Sequence, residues 1–298
     1  MLLLAPAALA YLLGYNDAAH YLAVGTLLAL HLGLLARPLA GFAILLPLVY
    51  AAAAVTAQST DGVAALIVAT AAAVGAASSQ GLHRGLLALP AAALLGSFEP
   101  AAGAEVVRRA AFMLAGCTYG FLLVVVLLRT AVPAASMLKP QSAVGYAVLL
   151  ATVALIGWFA ARLAGFEHAW WLPLAIVSVS EPVAGSSPRD ALLRGAAAAT
   201  VVMVLVLATE AFESPWVRGV LLLLALYCAL TIGLRRYLVW AVLLVPVLLL
   251  LSSHSAAHQP PLDYLRAALA AFLPVLAVSG LGHWLYWTLR SGSGRVAA

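Results

Sequence analysis

Long apolar segments run through almost the whole chain, and they constrain its fold more than any other feature. Segments such as residues 217–232 and 238–251 are nearly continuous and do not alternate between apolar and polar side chains. Strands of a membrane β-barrel do alternate, with a period of two residues, so this pattern excludes a barrel. A helix that crosses the hydrocarbon core needs about 20 apolar residues. The segments therefore predict membrane-spanning α-helices.

The composition excludes a water-soluble globular fold. Hydrophobic residues make up 65% of the chain and charged residues 8%, whereas soluble domains have roughly 45–50% and about 25%. So few polar side chains could not cover a soluble core. With short loops, the 298 residues accommodate about twelve spans. We expect an all-α, polytopic transmembrane helical bundle in a lipid bilayer.

The predicted helices fall into two blocks. We expect them at about 2–15, 20–36, 39–57, 62–79, 84–97 and 106–130, and then at about 142–164, 168–184, 190–209, 216–233, 236–252 and 264–289. Residues 131–141 between the blocks contain Pro133, Lys139 and Pro140 and are typical of a linker. The sequence thus predicts a six-helix membrane repeat at 1–130, a cytoplasmic linker at 131–141 and a second six-helix repeat at 142–298.

Three short motifs recur in the two blocks in the same order. The pairs are Gly14-Tyr15-Asn16 with His20 and Gly165-Phe166-Glu167 with His168; Gly81-Leu82-His83-Arg84 and Gly233-Leu234-Arg235-Arg236; and residues 105–108 and 263–266. The offset between copies grows from 148 to 158 residues, as loop insertions in the second copy would produce. An even number of helices per copy makes the two repeats parallel.

The positions of the basic residues predict the orientation. If the amino terminus is cytoplasmic, ten of the fifteen Lys and Arg residues lie in cytoplasmic loops or the tail, as the positive-inside rule requires. We therefore expect both termini on the cytoplasmic side of a bacterial inner membrane. A cysteine placed at Ser59 would then react with an impermeant thiol reagent from outside, and one placed at Ser187 would not.

Several other classes of function find no support in the motifs. The basic residues stand singly in short loops, so no nucleic-acid partner is expected. His254 and His258 have the spacing of a metal pair, but only Asp263 is near as a third ligand, and we expect neither a metal nor a cofactor. Walker A, paired-aspartate and nucleophile-elbow motifs are absent, which argues against an enzyme.

The most informative segment of the sequence is a polar, proline-interrupted stretch. It reads Phe166-Glu167-His168-Ala169-Trp170-Trp171-Leu172-Pro173-Leu174, followed by Glu181-Pro182-Val183-Ala184-Gly185 and the basic Arg189 and Arg194. Proline in an apolar segment breaks the helix and frees backbone groups that can bind a substrate. The His, aromatic, Trp and Pro-Leu pattern with its Pro-x-x-Gly turn resembles the fusaric acid resistance and aromatic acid exporter family, as does the later Gly233-Leu234-Arg235-Arg236-Tyr237. Gly195 follows Arg194 directly, where that family usually has Gly-Thr.

This resemblance, together with residue chemistry, supplies the candidate site residues. The candidates for substrate binding are His20, Arg108, Arg109, Arg162, His168, Trp170, Trp171, Pro173 and Arg266, and those for proton coupling are His20, His168 and Glu181. Arginine pairs with a carboxylate through two donors, and histidine titrates near neutral pH. Each has a structural alternative: snorkelling arginines, interfacial aromatic anchors, or pairing of Glu105 with Arg108 and Arg109 along one helix.

The predicted function follows from the same resemblance. It implies a membrane transporter that exports small organic anions, with aromatic carboxylic acids as the expected substrates. Proton coupling through His168, His20 or Glu181 is a hypothesis from residue type alone. A passive organic-anion channel is the alternative, and an integral-membrane transferase a more distant one. The sequence leaves a homo-oligomer open.

Overall fold

The computed structural model describes residues 4–127 and 137–164, together with positions 173, 174, 177, 200, 220, 224, 227 and 228. These residues are helical or lie in short connections, and no strand occurs among them. The prediction of an all-α chain is confirmed for this part. The chain divides into two compact units, Met1–Ala151 and Thr152–Ala298. The proposed repeat boundary at 131–141 stays a prediction, since most of that segment lies outside the described residues.

Eight α-helices are described, and all but the last lie wholly in the first unit. They are α1 (Ala5–Leu12), α2 (Asn16–Leu35), α3 (Leu46–Thr56), α4 (Thr60–Ser78), α5 (His83–Leu86), α6 (Ala88–Phe98), α7 (Ala104–Leu122) and α8 (Pro140–Ala164). A 3-10 helix over Arg37–Leu45 leads into α3, and a π-helical turn over Leu123–Leu127 continues α7.

Within the described part of the chain, five helical segments are long and apolar enough to cross a membrane. They are Asn16–Leu35, Arg37–Thr56, Thr60–Ser78, Ala104–Val126 and Pro140–Leu163. Each matches a span predicted from the sequence. The predicted spans at 2–15 and 84–97 are also helical but too short: α1 has eight residues, and the other is divided at Leu87 into α5 and the eleven-residue α6. The twelve-helix, two-repeat arrangement stays a prediction.

The most extensive helix pair in the first unit is α2 against α7, and glycine brings them together. A side-chain carbon at Gly25 on α2 would overlap the backbone carbonyl of Met113, and one at Gly116 on α7 would overlap that of Leu22. The Cys117 thiol lies 3.4 Å from the Gly25 carbonyl oxygen in the same interface. Close backbone approach through small residues is a usual mode of helix packing in membranes.

Helix α6 lies inside the unit rather than on its surface. Every residue from Ala88 to Ser97 is buried except Leu89, which is partly exposed. A side-chain carbon at Gly96 would overlap the carbonyl of Tyr50, so α6 and α3 also pack closely. Its eleven residues span only about 16 Å, about half the hydrocarbon core. The chain therefore leaves α6 at Phe98 within the packed unit.

Two of the recurring glycines mark helix ends. Gly14 follows α1 with φ 83°, and Gly81 follows α4 with φ 72°. This left-handed conformation suits glycine, which has no side-chain carbon to clash, and it is a common way for a helix to end. The glycines that open the two recurring motifs therefore have a structural role in the first copy. Their partners, Gly165 and Gly233, lie outside the described residues.

Candidate functional site

A buried polar cluster in the first unit centres on Glu99. Proline disfavours helical backbone at the residue before it, so Pro100 ends the helical conformation after Phe98. Glu99 takes φ −120° and ψ 65° as the C-cap of α6. Its backbone N–H donates to the carbonyl of Gly96 at 3.1 Å. The carboxylate is thus placed by a helix end and by the following proline. We call His20, Tyr21, Tyr50, Glu99 and Arg109 the Glu99 cluster.

Two tyrosine hydroxyls donate to the same oxygen of Glu99. Tyr21 on α2 donates to Oε2 at 3.0 Å, and Tyr50 on α3 donates to it at 2.7 Å. Tyr21 is 8% exposed and Tyr50 1% exposed. Their rings meet edge to face with centroids 5.7 Å apart. The carboxylate therefore connects α2, α3 and the end of α6, and the two tyrosine rings that bind it are buried.

His20 faces the other carboxylate oxygen. Its Nε2 lies 3.6 Å from Glu99 Oε1, and the two side chains are 16% and 22% exposed. This distance is within ion-pair range when the imidazole is protonated and longer than a good hydrogen bond. The structure thus brings a predicted proton-coupling residue, His20, to a partly buried acid.

Arg109 on α7 closes the cluster on a third side. Its Nη1 donates to the backbone carbonyl of Glu99 at 3.3 Å, and its guanidinium lies 5.6 Å from the centre of the Tyr21 ring. The Nε of the same side chain donates to Glu105 Oε1 at 2.7 Å. Arg109 therefore ties the connection after α6 to the first turns of α7.

The first two turns of α7 carry an ion-pair network. Arg108 lies 2.8 Å from Glu105 Oε2 and 3.5 Å from Asp17 Oδ2 on α2. With the bond from Arg109, this is the pairing along one helix that the sequence offered as the structural alternative for both arginines. Solvent screens exposed pairs of this kind, so they contribute little to stability. Substrate binding by Arg108 or Arg109 stays a prediction, and it would have to compete with Glu105.

The surroundings of Glu99 set its protonation. Burial alone would raise the pKa of this carboxyl, but the nearby imidazole of His20, followed by the hydroxyls of Tyr50 and Tyr21, holds the pKa below its ordinary value of 4.5. Hydrogen bonds to a charged group favour that charged form. Glu99 is therefore ionised at neutral pH.

The second unit presents a different arrangement at the end of α8. The guanidinium of Arg162 lies 5.0 Å from the centre of the Trp158 ring, one turn earlier on the helix. Trp158 is fully buried, and its ring meets that of Phe159 edge to face at 4.9 Å. Phe159 is 45% exposed. A predicted substrate-binding arginine is thus combined with two aromatic rings.

The remaining predicted site residues are not brought together by the described part. Pro173 is helical and buried. His168, Trp170, Trp171, Glu181 and Arg266 lie outside the described residues. Among the residues that are described, no group of three or more His, Cys, Asp or Glu side chains could hold a metal ion.

Sequence reasoning missed Glu99, Tyr21 and Tyr50. Tyr21 and Tyr50 bind Glu99 across 78 and 49 residues of chain, so no local spacing indicates the cluster. A usable signal was present: an acid immediately before a proline at the end of an apolar helix. Acids are rarely left in such places without a partner.

A second histidine on α2 is buried more deeply. His31 is 3% exposed, and its Nε2 lies 2.8 Å from the backbone carbonyl oxygen of Arg84. His83, next to Arg84, is fully buried and meets the Tyr146 ring edge to face at 5.7 Å. These contacts connect α2, α5 and α8 at the end of α2 away from Glu99.

Long apolar helices, close glycine packing and a buried charged cluster define a polytopic helical membrane protein. Residues 154–279 match the model of a family described as fusaric acid resistance protein-like. This confirms the family resemblance recognised in the motifs of the second half. No curated protein and no solved structure matches the chain.

Proposed function

We propose that this protein exports small organic anions across the inner membrane, with aromatic carboxylic acids as its substrates. The family match supports a membrane transport or resistance protein. Apolar helices long enough to cross a bilayer support the same class. We add to this class that the substrates are aromatic acids and that protons drive their export. Candidate coupling residues are His20, His168 and Glu181.

The observation that carries the substrate class is the Arg162 and Trp158 pair. A guanidinium binds a carboxylate through two donors, and aromatic side chains offer edges and faces to a substrate ring. Trp158 is fully buried, so the ring exposed at this helix end is that of Phe159, at 45%. Arg108 and Arg109 bind Glu105, so a substrate carboxylate would have to compete with that acid at both residues.

The test is substrate affinity in proteoliposomes loaded with benzoate-type acids. Arg162→Gln should weaken the apparent affinity about ten- to a hundredfold, because losing a charge-assisted hydrogen bond costs roughly 1.5–3 kcal/mol. Arg162→Lys keeps the charge but loses the planar fork, and it should recover only part of the affinity.

Arg37→Gln is the matched control, since Arg37 is an exposed arginine that starts the 3-10 helix in the first unit. It should transport with unchanged affinity. Normal affinity in Arg162→Gln, measured on equal amounts of folded protein, would remove Arg162 from the substrate site. Substrate currents that persist without a proton gradient would favour the channel alternative.

A further inference from the structure

Glu99 and His20 are arranged so that one proton can lie on either of them. The two tyrosine bonds go to Oε2, while Oε1 faces the imidazole Nε2 at 3.6 Å. A shift of less than 1 Å would bring this distance to the roughly 2.7–2.9 Å of a charge-assisted hydrogen bond. The proton then has two alternative positions, Nε2 of His20 and Oε1 of Glu99.

The charges around the pair balance when it holds a proton. Among the described residues, the charged groups come from three elements: Asp17 on α2, Glu99 after α6, and Glu105, Arg108 and Arg109 on α7. Tyr21 and Tyr50 face Glu99 as neutral donors. Three carboxylates against two guanidinium groups leave one negative charge, which a proton on His20 neutralises. The Glu99 cluster together with Asp17, Glu105 and Arg108 thus changes between negative and neutral with one proton.

The pair keeps limited solvent access in the described part of the chain. His20 and Glu99 keep 16% and 22% of their side-chain surface exposed, whereas Tyr50 behind them is 1% exposed. A proton can therefore exchange between solvent and the exposed parts of these two side chains without passing the buried ring of Tyr50. A purely structural ion pair has no need for this access.

We propose that Glu99 and His20 form a single proton-binding site that couples proton entry to anion export. The coupling to export rests on the proposed function, but the proton site itself can be tested without any substrate. In the step, a proton from water binds Nε2 or Oε1 and later leaves from the same pair. Only N–H and O–H bonds form and break.

The substrate-free test follows the protonated-carboxyl infrared band of the purified full chain during acid titration. The band that disappears in Glu99→Gln belongs to Glu99. In His20→Gln this band should appear at higher pH than in the wild type, because the imidazole of His20, 3.6 Å from Glu99 Oε1, helps to keep the carboxyl ionised. Asp61→Asn, an exposed acid in the first turn of α4, is the control and should leave the band unchanged.

The transport test compares the same variants in proteoliposomes with and without a proton gradient. Glu99→Gln and His20→Gln should lose the acceleration by the gradient and keep exchange of substrate for substrate. If Glu99→Gln does not fold, His20→Gln decides, because it leaves both tyrosine bonds to Glu99 in place. A structural pair predicts lower protein yield with gradient dependence intact.

The outcomes separate the two proposals. A Glu99 band that shifts in His20→Gln supports the proton site even if no organic acid is transported, and that combination overturns the proposed substrate class alone. A band at the same pH in His20→Gln and wild type overturns the proton site. Intact gradient dependence in folded Glu99→Gln or His20→Gln overturns its coupling role.

Discussion

The two ends of α2 each carry a histidine, and the groups opposite them differ. His20 is partly exposed and faces the carboxylate of Glu99, whereas His31 is buried and bonded to the carbonyl oxygen of Arg84. A carbonyl can only accept, so His31 Nε2 must donate, and the bond serves packing. A carboxylate can exchange a proton with an imidazole. The group opposite each histidine, rather than the histidine itself, therefore determines whether the contact can only stabilise the fold or can also exchange a proton.

The largest expected effect comes from the contact between these two ends, where α2 touches α7. Gly116→Ala should destabilise the folded protein by about 1–3 kcal/mol, because the added carbon overlaps the Leu22 carbonyl and forces the helices apart. The measurement is the melting temperature in detergent. Both histidines should lose their partners together, since the displaced helix carries both.

Gly145→Ala is the matched control for that prediction. Gly145 lies inside α8, and among described atoms nothing stands within 4 Å of an added carbon. Alanine is favoured over glycine in a helix by about 1 kcal/mol, so this variant should melt at the same or a higher temperature. Equal melting temperatures for the two alanine variants would contradict the close packing of α2 and α7.

A smaller effect separates the two histidines directly. His31→Leu should lower the free energy of unfolding by about 1–3 kcal/mol, because the buried Arg84 carbonyl loses a donor. His20→Leu should lower it less, since Glu99 keeps both tyrosine bonds and His20 borders solvent. The same melting assay ranks them. If His20→Leu lowers the free energy of unfolding more than His31→Leu does, His20 is the histidine with the structural role.

The smallest expected effect is on stability in acid. The pKa of Glu99 is held below its ordinary value of 4.5, so its contribution to stability is present above that pH and is lost as the pH falls through the lowered pKa. Wild-type protein should therefore melt at a lower temperature in acid, and Glu99→Gln should show a smaller decrease.

Asp61→Asn should follow the wild type in that titration, because Asp61 is exposed at the start of α4. Melting curves recorded from pH 7 down to about pH 2 cover the ordinary range of carboxyl pKa values and the lower pKa of Glu99. An acid response in Glu99→Gln as large as in the wild type would mean that other carboxyls account for it.

Hydrophobic segments alone predicted most of the described fold. The spans predicted at 20–36, 39–57, 62–79 and 142–164 correspond to helices within a few residues, because length and apolar content are what a bilayer selects. The break at Leu87 was not predictable in this way. It depends on α6 being buried inside the unit, where a helix need not span the membrane.

The candidate site was only half predictable. His20 and Arg109 carry side chains that suggest chemistry by their type, and both belong to the Glu99 cluster. Tyr21 and Tyr50 resemble ordinary core aromatics, and only the close packing of α6 against α3 brings Tyr50 to Glu99. Tertiary packing therefore determined the part that the sequence left unassigned.

The short connection from α6 to α7 has a mechanical consequence. Two tyrosine hydroxyls donate to the side chain of Glu99, and Arg109 on α7 donates to its backbone carbonyl. Only residues 100–103 separate it from the start of α7, so the segment has little slack. Any sliding of α7 along α2 pulls on this tether and changes the spacing of Glu99 and His20. In the proposed proton site, a displacement of α7 along α2 would therefore change the proton affinity of the Glu99 and His20 pair.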